Sequence, residues 1–346
     1  DGIVEWTQDA GADSNAWRQA WFSEDGLRTA NGTTQKAVVE GFDPSKPLRL
    51  RARSRPITSF GAYKVTFGEP VFSAELTLPP RQRAGGKVSF VVFNDIHSRT
   101  FLYPMLLPLA GSPVDLAVFN GDVLQDPANE SEVRDYLLLP MSWFAARSIP
   151  CFFLRGNHET RGAAARALRD YLLLPDNRYY GALTLGAARL LLLDCGEDKP
   201  DEHWAYSGLV DFTAYIREQA RWLETEISCK AFNDAVWRIA VIHIPPDWRT
   251  DGQAGRFGEK RINSLLAPLL DRGRINVVIS GHNHKPELID PPRPDLKEGF
   301  KWPVFIGGAH PFEGSTVTRV EADLQTLCVR MIGSDGKVTQ ERTWRR

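Results

Sequence analysis

The sequence predicts a layered α/β protein preceded by a small all-β domain. Beyond residue 87, short runs that are apolar at nearly every position alternate with stretches of helical periodicity, which points to strands covered on both faces. The first 80 or so residues instead alternate apolar with polar, as half-buried strands do. Five polar clusters rich in His, Asp and Asn each close one of the later apolar runs, where open α/β sheets place their ligands.

Composition sets the outer limits. The 346 residues are 42% hydrophobic and 25% charged, the balance of an ordinary globular protein, and the length suggests about two domains. A net charge of −1 gives no polyanion footprint, so avid nucleic-acid binding is not expected. Nor does any apolar run reach the roughly 18 residues that span a bilayer. Four cysteines at 151, 195, 229 and 328 are too scattered for a disulfide framework or a zinc cluster. The chain opens at Asp1 rather than Met; if a signal peptide once preceded it, the expected site of action is periplasmic or extracellular, with the cytoplasm as the alternative.

In the amino-terminal part, residues 47–54 and 63–67 read as strands. The stretch from Val38 to Leu48 is similar to the corner of a fibronectin type III or immunoglobulin-like sandwich. That resemblance places a β-domain at 1–80. The tract from Pro79 to Gly86, with prolines at its start and glycines at its end, marks a linker at 81–86, and residues 87–346 read as the second domain. There, strands are predicted at 88–93, 114–119, 149–154, 190–193, 236–242 and 275–279. Phe212, Ile216, Ala220, Leu223 and Ile227 lie at helical spacing, as do Ile262, Leu265, Leu266, Leu269 and Leu270. The runs 303–307, 317–320 and 328–332, with a turn at Ser334 to Gly336, are expected to finish a second sheet.

The five clusters are Asp95 with His97; Gly121 and Asp122; Gly156, Asn157, His158 and Glu159; His243; and Gly281, His282, Asn283 and His284. They hold five of the seven histidines. A turn leaving a strand can aim an Asp oxygen and a His nitrogen two residues apart at one cation, as Asp95 and His97 would. Gly121 lets the chain turn sharply so that Asp122 can share its two oxygens between two cations. Asn157 adds a neutral oxygen, and the histidines add imidazoles without any thiolate. Two divalent ions carry four positive charges and Asp95 with Asp122 remove two, a surplus that attracts phosphate. Taken singly, each Asp or Asn would be an ordinary turn or capping residue, and His243 a hydrogen-bonded core histidine. Seven such explanations would have to hold together.

In this order and spacing the clusters resemble the calcineurin-like metallophosphoesterase superfamily over about residues 88 to 310. The resemblance implies a four-layer α/β/β/α sandwich and two divalent or mixed-valence transition-metal ions, with Mn, Fe or Zn foremost. It implies one metal on Asp95, His97, Asp122 and His284, another on Asp122, Asn157, His243 and His282, and His158 as the catalytic histidine. The expected reaction is hydrolysis of a small-molecule phosphate ester, most readily a monoester. In it a metal-bridging hydroxide attacks phosphorus in line while His158 assists the leaving group. Phosphodiesterase action and a non-catalytic scaffold are the alternatives.

Departures from the family's branches narrow the expectation. The purple acid phosphatases place Gly where His97 stands and Tyr where Gln125 stands, so a tyrosinate-iron centre is not expected. Ser98 and the run from Val123 to Asp126 depart from the Ser/Thr protein phosphatase pattern. Three further residues are candidates for supporting roles. Asp126 would orient His158, Arg155 would approach phosphate, and His203, with Trp204 and Tyr206, would contact substrate. Their ordinary alternatives are a solvated aspartate, a carboxylate-paired arginine and a surface loop. The segments 197–207 and 245–256 are candidates for choosing between monoester and diester.

Overall fold

The computed structural model describes residues 1–9, 11, 16–30, 32–80, 86–250, 253–291, 300–308 and 312–346. Most of the tract expected as a linker, and His310, lie outside them. Packing divides the chain into two units, Asp1–Gln82 with Ala167–Leu173, and Arg83–Arg166 with Leu174–Arg346.

The amino-terminal stretch is all-β. Its main sheet runs Arg18–Ala20 (β2), Gly2–Thr7 (β1), Leu48–Ser54 (β5) and Val71–Phe72 (β8), with Leu76–Leu78 (β9) also on β5. Ser23–Glu24 (β3) pairs with Leu27–Arg28 (β4), and Ile57–Phe60 (β6) with Val65–Phe67 (β7). Trp6, Ala20 and Leu48 form its small core. The strands expected at 47–54 and 63–67 are β5 and β7.

The larger unit holds two six-stranded sheets. The first has the order Cys151–Leu154 (β12), Leu116–Asn120 (β11), Val88–Phe93 (β10), Thr316–Ala322 (β19), Thr326–Gly333 (β20) and Val338–Arg345 (β21). The second runs Gly181–Leu185 (β13), Ala188–Leu193 (β14), Trp237–Ile242 (β15), Val277–Ser280 (β16), Val304–Ile306 (β18) and Glu287–Ile289 (β17). Strands β10, β11 and β12 are parallel, as are β14, β15, β16 and β18.

Alternate residues of each strand serve different layers, which is why the runs are apolar throughout. Val88, Phe90 and Val92 face Leu190, Leu192, Ile239, Val241 and Ile279 across the gap between sheets. Leu191, Leu193, Ala240, Ile242 and Val278 face the opposite way, onto the helices Phe212–Glu226, Phe257–Leu265 and Ala267–Arg272. On the outer face of the first sheet, Phe93 and Phe119 pack against Tyr103 and Phe144 of the helices Leu102–Leu106 and Leu139–Ala145. The result is the four-layer sandwich.

Two details differ from the expectation. The strands β19 to β21 extend the first sheet as an antiparallel meander that starts with β19 on β10, and only β17 and β18 complete the second. Alternation along a strand states that it has a buried face but not which sheet edge receives it. The single helical period around Ile262 to Leu270 is two helices, because Pro268 lacks the N–H that would continue the ladder.

Phe119 stacks on Tyr103 at 4.7 Å and meets Phe144 edge-on at 5.3 Å. Phe119→Ala should therefore cost about 3–5 kcal/mol. Urea unfolding followed by near-ultraviolet dichroism measures this, and a loss under about 1 kcal/mol would contradict the packing described.

Candidate metal centre

The carboxyl ends of β10, β11, β12, β15 and β16 carry the five clusters. Asn120, wholly buried at the end of β11, donates to Asn94 Oδ1 at 2.7 Å and to the Ile242 carbonyl at 3.3 Å. It thereby stitches one sheet to the other beneath the site. Beyond the strands, His97 N donates to the Asp122 carbonyl at 2.7 Å and Ser98 N to the Val123 carbonyl at 2.7 Å, so two loops continue side by side.

The backbone in these loops is strained. Asp95, His97, Asp122, His282 and His284 have φ of 56°, 48°, 51°, 71° and 51°. Non-glycine residues avoid this region at a cost of about 1–3 kcal/mol each, and such residues gather at functional sites. Gly121 is at φ 74°, and a Cβ there would overlap the His243 ring.

Side-chain donors fall into two groups that share Asp122. In each, the donor atoms lie within 4.8 Å of one another: Asp95, His97, Asp122 and His284 in the first, Asp122, His243 and His282 in the second. His97 Nε2 and His284 Nε2 stand 2.9 Å apart, and His284 Nε2 is 3.2 Å from Asp95 Oδ1. His243 donates from Nδ1 to the Asn120 carbonyl at 2.9 Å, which aims Nε2 into the site. That nitrogen sits 3.0 Å from Asp122 Oδ2 but makes no well-aligned hydrogen bond. Asn157, 2% exposed, buries an unpartnered Oδ1 between Gly156 and His158. A buried acceptor without a donor, such as Asn157 Oδ1, fits a cation better than an empty gap, and this mixture of carboxylate, amide oxygen and imidazole suits divalent transition metals.

Glu159 supplies the frame and has no expected role from its sequence position. Wholly buried, it accepts from Asp122 N at 2.9 Å, Leu124 N at 2.7 Å and Gly156 N at 2.7 Å, clamping the loops after β11 and β12 together. Asp122 Oδ1 in turn accepts from His158 N at 3.0 Å. Backbone donors of Glu159 are invisible to a motif, so no signal short of the fold identifies this role.

Electrostatics follow from burying so many charges together. Burial opposes ionisation of Asp122, yet the neighbouring His243, with His158 and His97, holds its carboxyl well below the usual range. Burial alone would lower His243, but the Asp122 charge and contact, with Asp95, raise it to about 10. Burial keeps His97 and His282 at about 4, hence neutral and able to ligate. The Asp95 contact raises His284. Burial, with Asp122 beside it, raises Glu159.

The supporting candidates divide. Asp126 Oδ1 lies 2.9 Å from His158 Nδ1, so it is bonded to the histidine rather than merely solvated. Arg155 is engaged elsewhere: its guanidinium forms Nη2 and Nε contacts to buried Asp194 at 2.6 and 3.0 Å and lies over Tyr179. His203 caps the short Trp204–Tyr206 turn, accepting from Ala205 N at 3.3 Å. Glu197, first residue of the candidate segment 197–207, is buried and grips Arg161 three residues beyond His158, a partnership that its sequence position does not signal.

Comparison with known proteins gives the family. The family model described as calcineurin-like phosphoesterase matches residues 88–286, more than half of the chain, and the chain belongs to that family. It is a metal-dependent phosphoesterase. No curated protein matches the sequence. Among solved structures, purple acid phosphatase PPD1 from yellow lupin (Lupinus luteus) is 14% identical with a TM-score of 0.64, covering 100% of this chain and 69% of that one. PhoD is 13% identical with a TM-score of 0.56, covering 100% and 82%. GAP50, described as the anchor in the inner membrane complex of Plasmodium, is 15% identical with a TM-score of 0.51, covering 75% and 89%. At these identities the likeness is one of fold. Among the described residues, no helix is long and apolar enough to cross a membrane.

Because His243 holds its proton up to about pH 10 without metal, a cation taking Nε2 must displace that proton at neutral pH. Apparent metal affinity should strengthen as pH rises. Calorimetric titration in two buffers of different protonation heat reads the released proton, and identical heats would count against it.

Proposed function

We propose that the protein hydrolyses phosphate monoesters using two divalent cations, Mn, Fe or Zn, held on either side of Asp122. The observation that most supports this is the shared carboxylate: one buried Asp122 belongs to both donor groups. Asp95, His97, Asp122 and His284 would hold one cation, and Asp122, Asn157, His243 and His282 the other. When bound, the cations supply Lewis acidity, lowering the pKa of water and offsetting charge on the phosphate oxygens.

The chain's own residues do the rest. With only two carboxylates among these donors, the site keeps a positive surplus that matches a monoester dianion better than a diester monoanion. His158, with its side chain 20% exposed, holds Nε2 3.9 Å from Asp122 Oδ2 at the rim of the donor groups. Its Nδ1 faces Asp126, and this bond orients the ring so that Nε2 is left to assist the leaving oxygen. Gln125 Nε2 reaches Asp126 Oδ2 at 3.2 Å and steadies that carboxylate.

A diester reading has one observation in its favour. A cleft of about 560 Å³ beside His282, lined by Arg249, Arg256, Asn283 and Lys285, offers room for a second substituent. The scaffold reading, which GAP50's description as an anchor brings to mind, is disfavoured by a full complement of donors. We also propose, from its place ahead of the layered unit, that the β-rich amino-terminal stretch is a fibronectin III/Ig-like module of a periplasmic or extracellular enzyme; fractionation of the host cell tests the location.

His158→Ala should keep its metal content and lose about 10²–10⁴-fold in kcat, while Asp126→Asn should lose about 10–100-fold. Steady-state assays with nitrophenyl phosphate and its diester, on protein of measured metal content, check both residues and the ester class. Full turnover by His158→Ala on a poor leaving group would remove it from the reaction, and a faster diester than monoester rate would reverse the assignment.

A further inference from the structure

Nothing local fixes the aim of Asn157. Its backbone is ordinary helical, with φ −72° and ψ −29°, where five other donor residues sit in left-handed turns. Its Oδ1 is buried without a partner, whereas His243 is oriented by the Asn120 carbonyl and His158 by Asp126. The direction of that oxygen is therefore set by how the backbone on either side is held. Asn157 also stands beyond β12, the edge strand of the first sheet, which has a strand neighbour on one side only. Glu159 ties this segment to the loop after β11. The second sheet holds it from the other direction.

Two buried carboxylates reach across from the segment after β14. Arg155 is the first residue beyond β12 and Asp194 the first beyond β14, and Arg155 Nη2 and Nε donate to Asp194 Oδ2 at 2.6 and 3.0 Å. Three residues on, Glu197 accepts from Arg161 Nε at Oε1 and from Arg161 Nη2 at Oε2, the latter at 3.1 Å. The two arginines bracket Asn157 and His158 in the chain. Between them Thr160 Oγ1 donates to the Asn157 carbonyl at 2.8 Å and Arg161 N to the His158 carbonyl at 3.2 Å, so a shift of Arg161 is carried into the turn.

Both carboxylates are themselves anchored. Asp194 accepts from Tyr215 Oη at 2.9 Å and Gly196 N at 2.8 Å, and its backbone is bonded both ways to Gln219 of the helix Phe212–Glu226, at 2.8 Å each. Arg261, in the helix Phe257–Leu265, donates to the Glu197 and Lys199 carbonyls at 3.3 and 3.0 Å. Stability alone does not call for such pairs. Burying an ion pair costs desolvation that its attraction only roughly offsets, and apolar packing of the same volume often does as well. Contact through two guanidinium nitrogens adds direction. Neither arginine is free for phosphate, since carboxylates that are 0% exposed already meet both charges.

We propose that Arg155 with Asp194 and Arg161 with Glu197 are positioning residues that brace Asn157 from both sides, and so set the affinity of the cation assigned to Asp122, Asn157, His243 and His282. This rests on the two-cation reading above. The cation assigned to Asp95, His97, Asp122 and His284 takes no part in the brace.

Calorimetric titration of the full chain with Mn²⁺, with bound metal counted by elemental analysis, tests this. Asn157→Ala marks which of the two sites contains Asn157. Glu197→Gln and Arg161→Lys should each weaken that same site about tenfold and leave the other unchanged. Weakening of both sites equally, as a general structural role would give, or of the other site, or of neither, overturns the proposal. Arg161→Lys, at a side chain 24% exposed, retains the charge and keeps the test readable if Glu197→Gln does not fold. An unaltered chain that binds a single cation, indifferent to Asn157→Ala, overturns the two-cation reading and the brace with it. Two cations, one sensitive to Asn157→Ala and neither to Glu197→Gln or Arg161→Lys, overturn the brace alone.

Discussion

One carboxylate organises this site. Asp122 belongs to both donor groups, touches His243, accepts the His158 backbone N–H and donates its own backbone N–H to Glu159. Burying Asp122 and Glu159 together, with Asp95 close by, would be prohibitive without compensation, since uncompensated buried charge costs several kcal/mol. The raised His243 answers part of that demand in the metal-free protein. Divalent cations on these donors would offset the remainder, and any that bind the folded form alone would stabilise it.

The scaffold around it explains why such strain is tolerated. Two sheets pack through an apolar interface, and their carboxyl edges meet at Asn120, which bonds to both. Five donor residues sit in left-handed backbone conformations that short peptides would not hold. Rigid strands on both sides over-determine these loops, and that rigidity is what a reaction needing closely placed groups requires.

The surroundings are asymmetric. On the His158 side stand Asp126, the Arg161–Glu197 pair and an aromatic turn. On the His282 side, Arg256 reaches Asn283 Oδ1 at 3.2 Å, and Arg249 bridges Asp247 and Glu287. One side is built to orient a histidine and to present rings, the other to hold polar groups.

The sequence by itself determined the layers and the donor residue types that gather at the candidate centre. Runs such as 88–93 and 236–242 could be read as doubly covered strands because burial of both faces leaves nearly every position apolar, and the Asp, Asn and His clusters announce their donor types in order. What it could not state were partnerships between distant positions. That β19 to β21 join β10, that Asp126 meets His158 while Arg155 is taken by Asp194, and that Glu159 holds three backbone amides depend on register and loop path. Only the folded chain decides these, because local periodicity encodes which face is buried and leaves unspecified what lies against it.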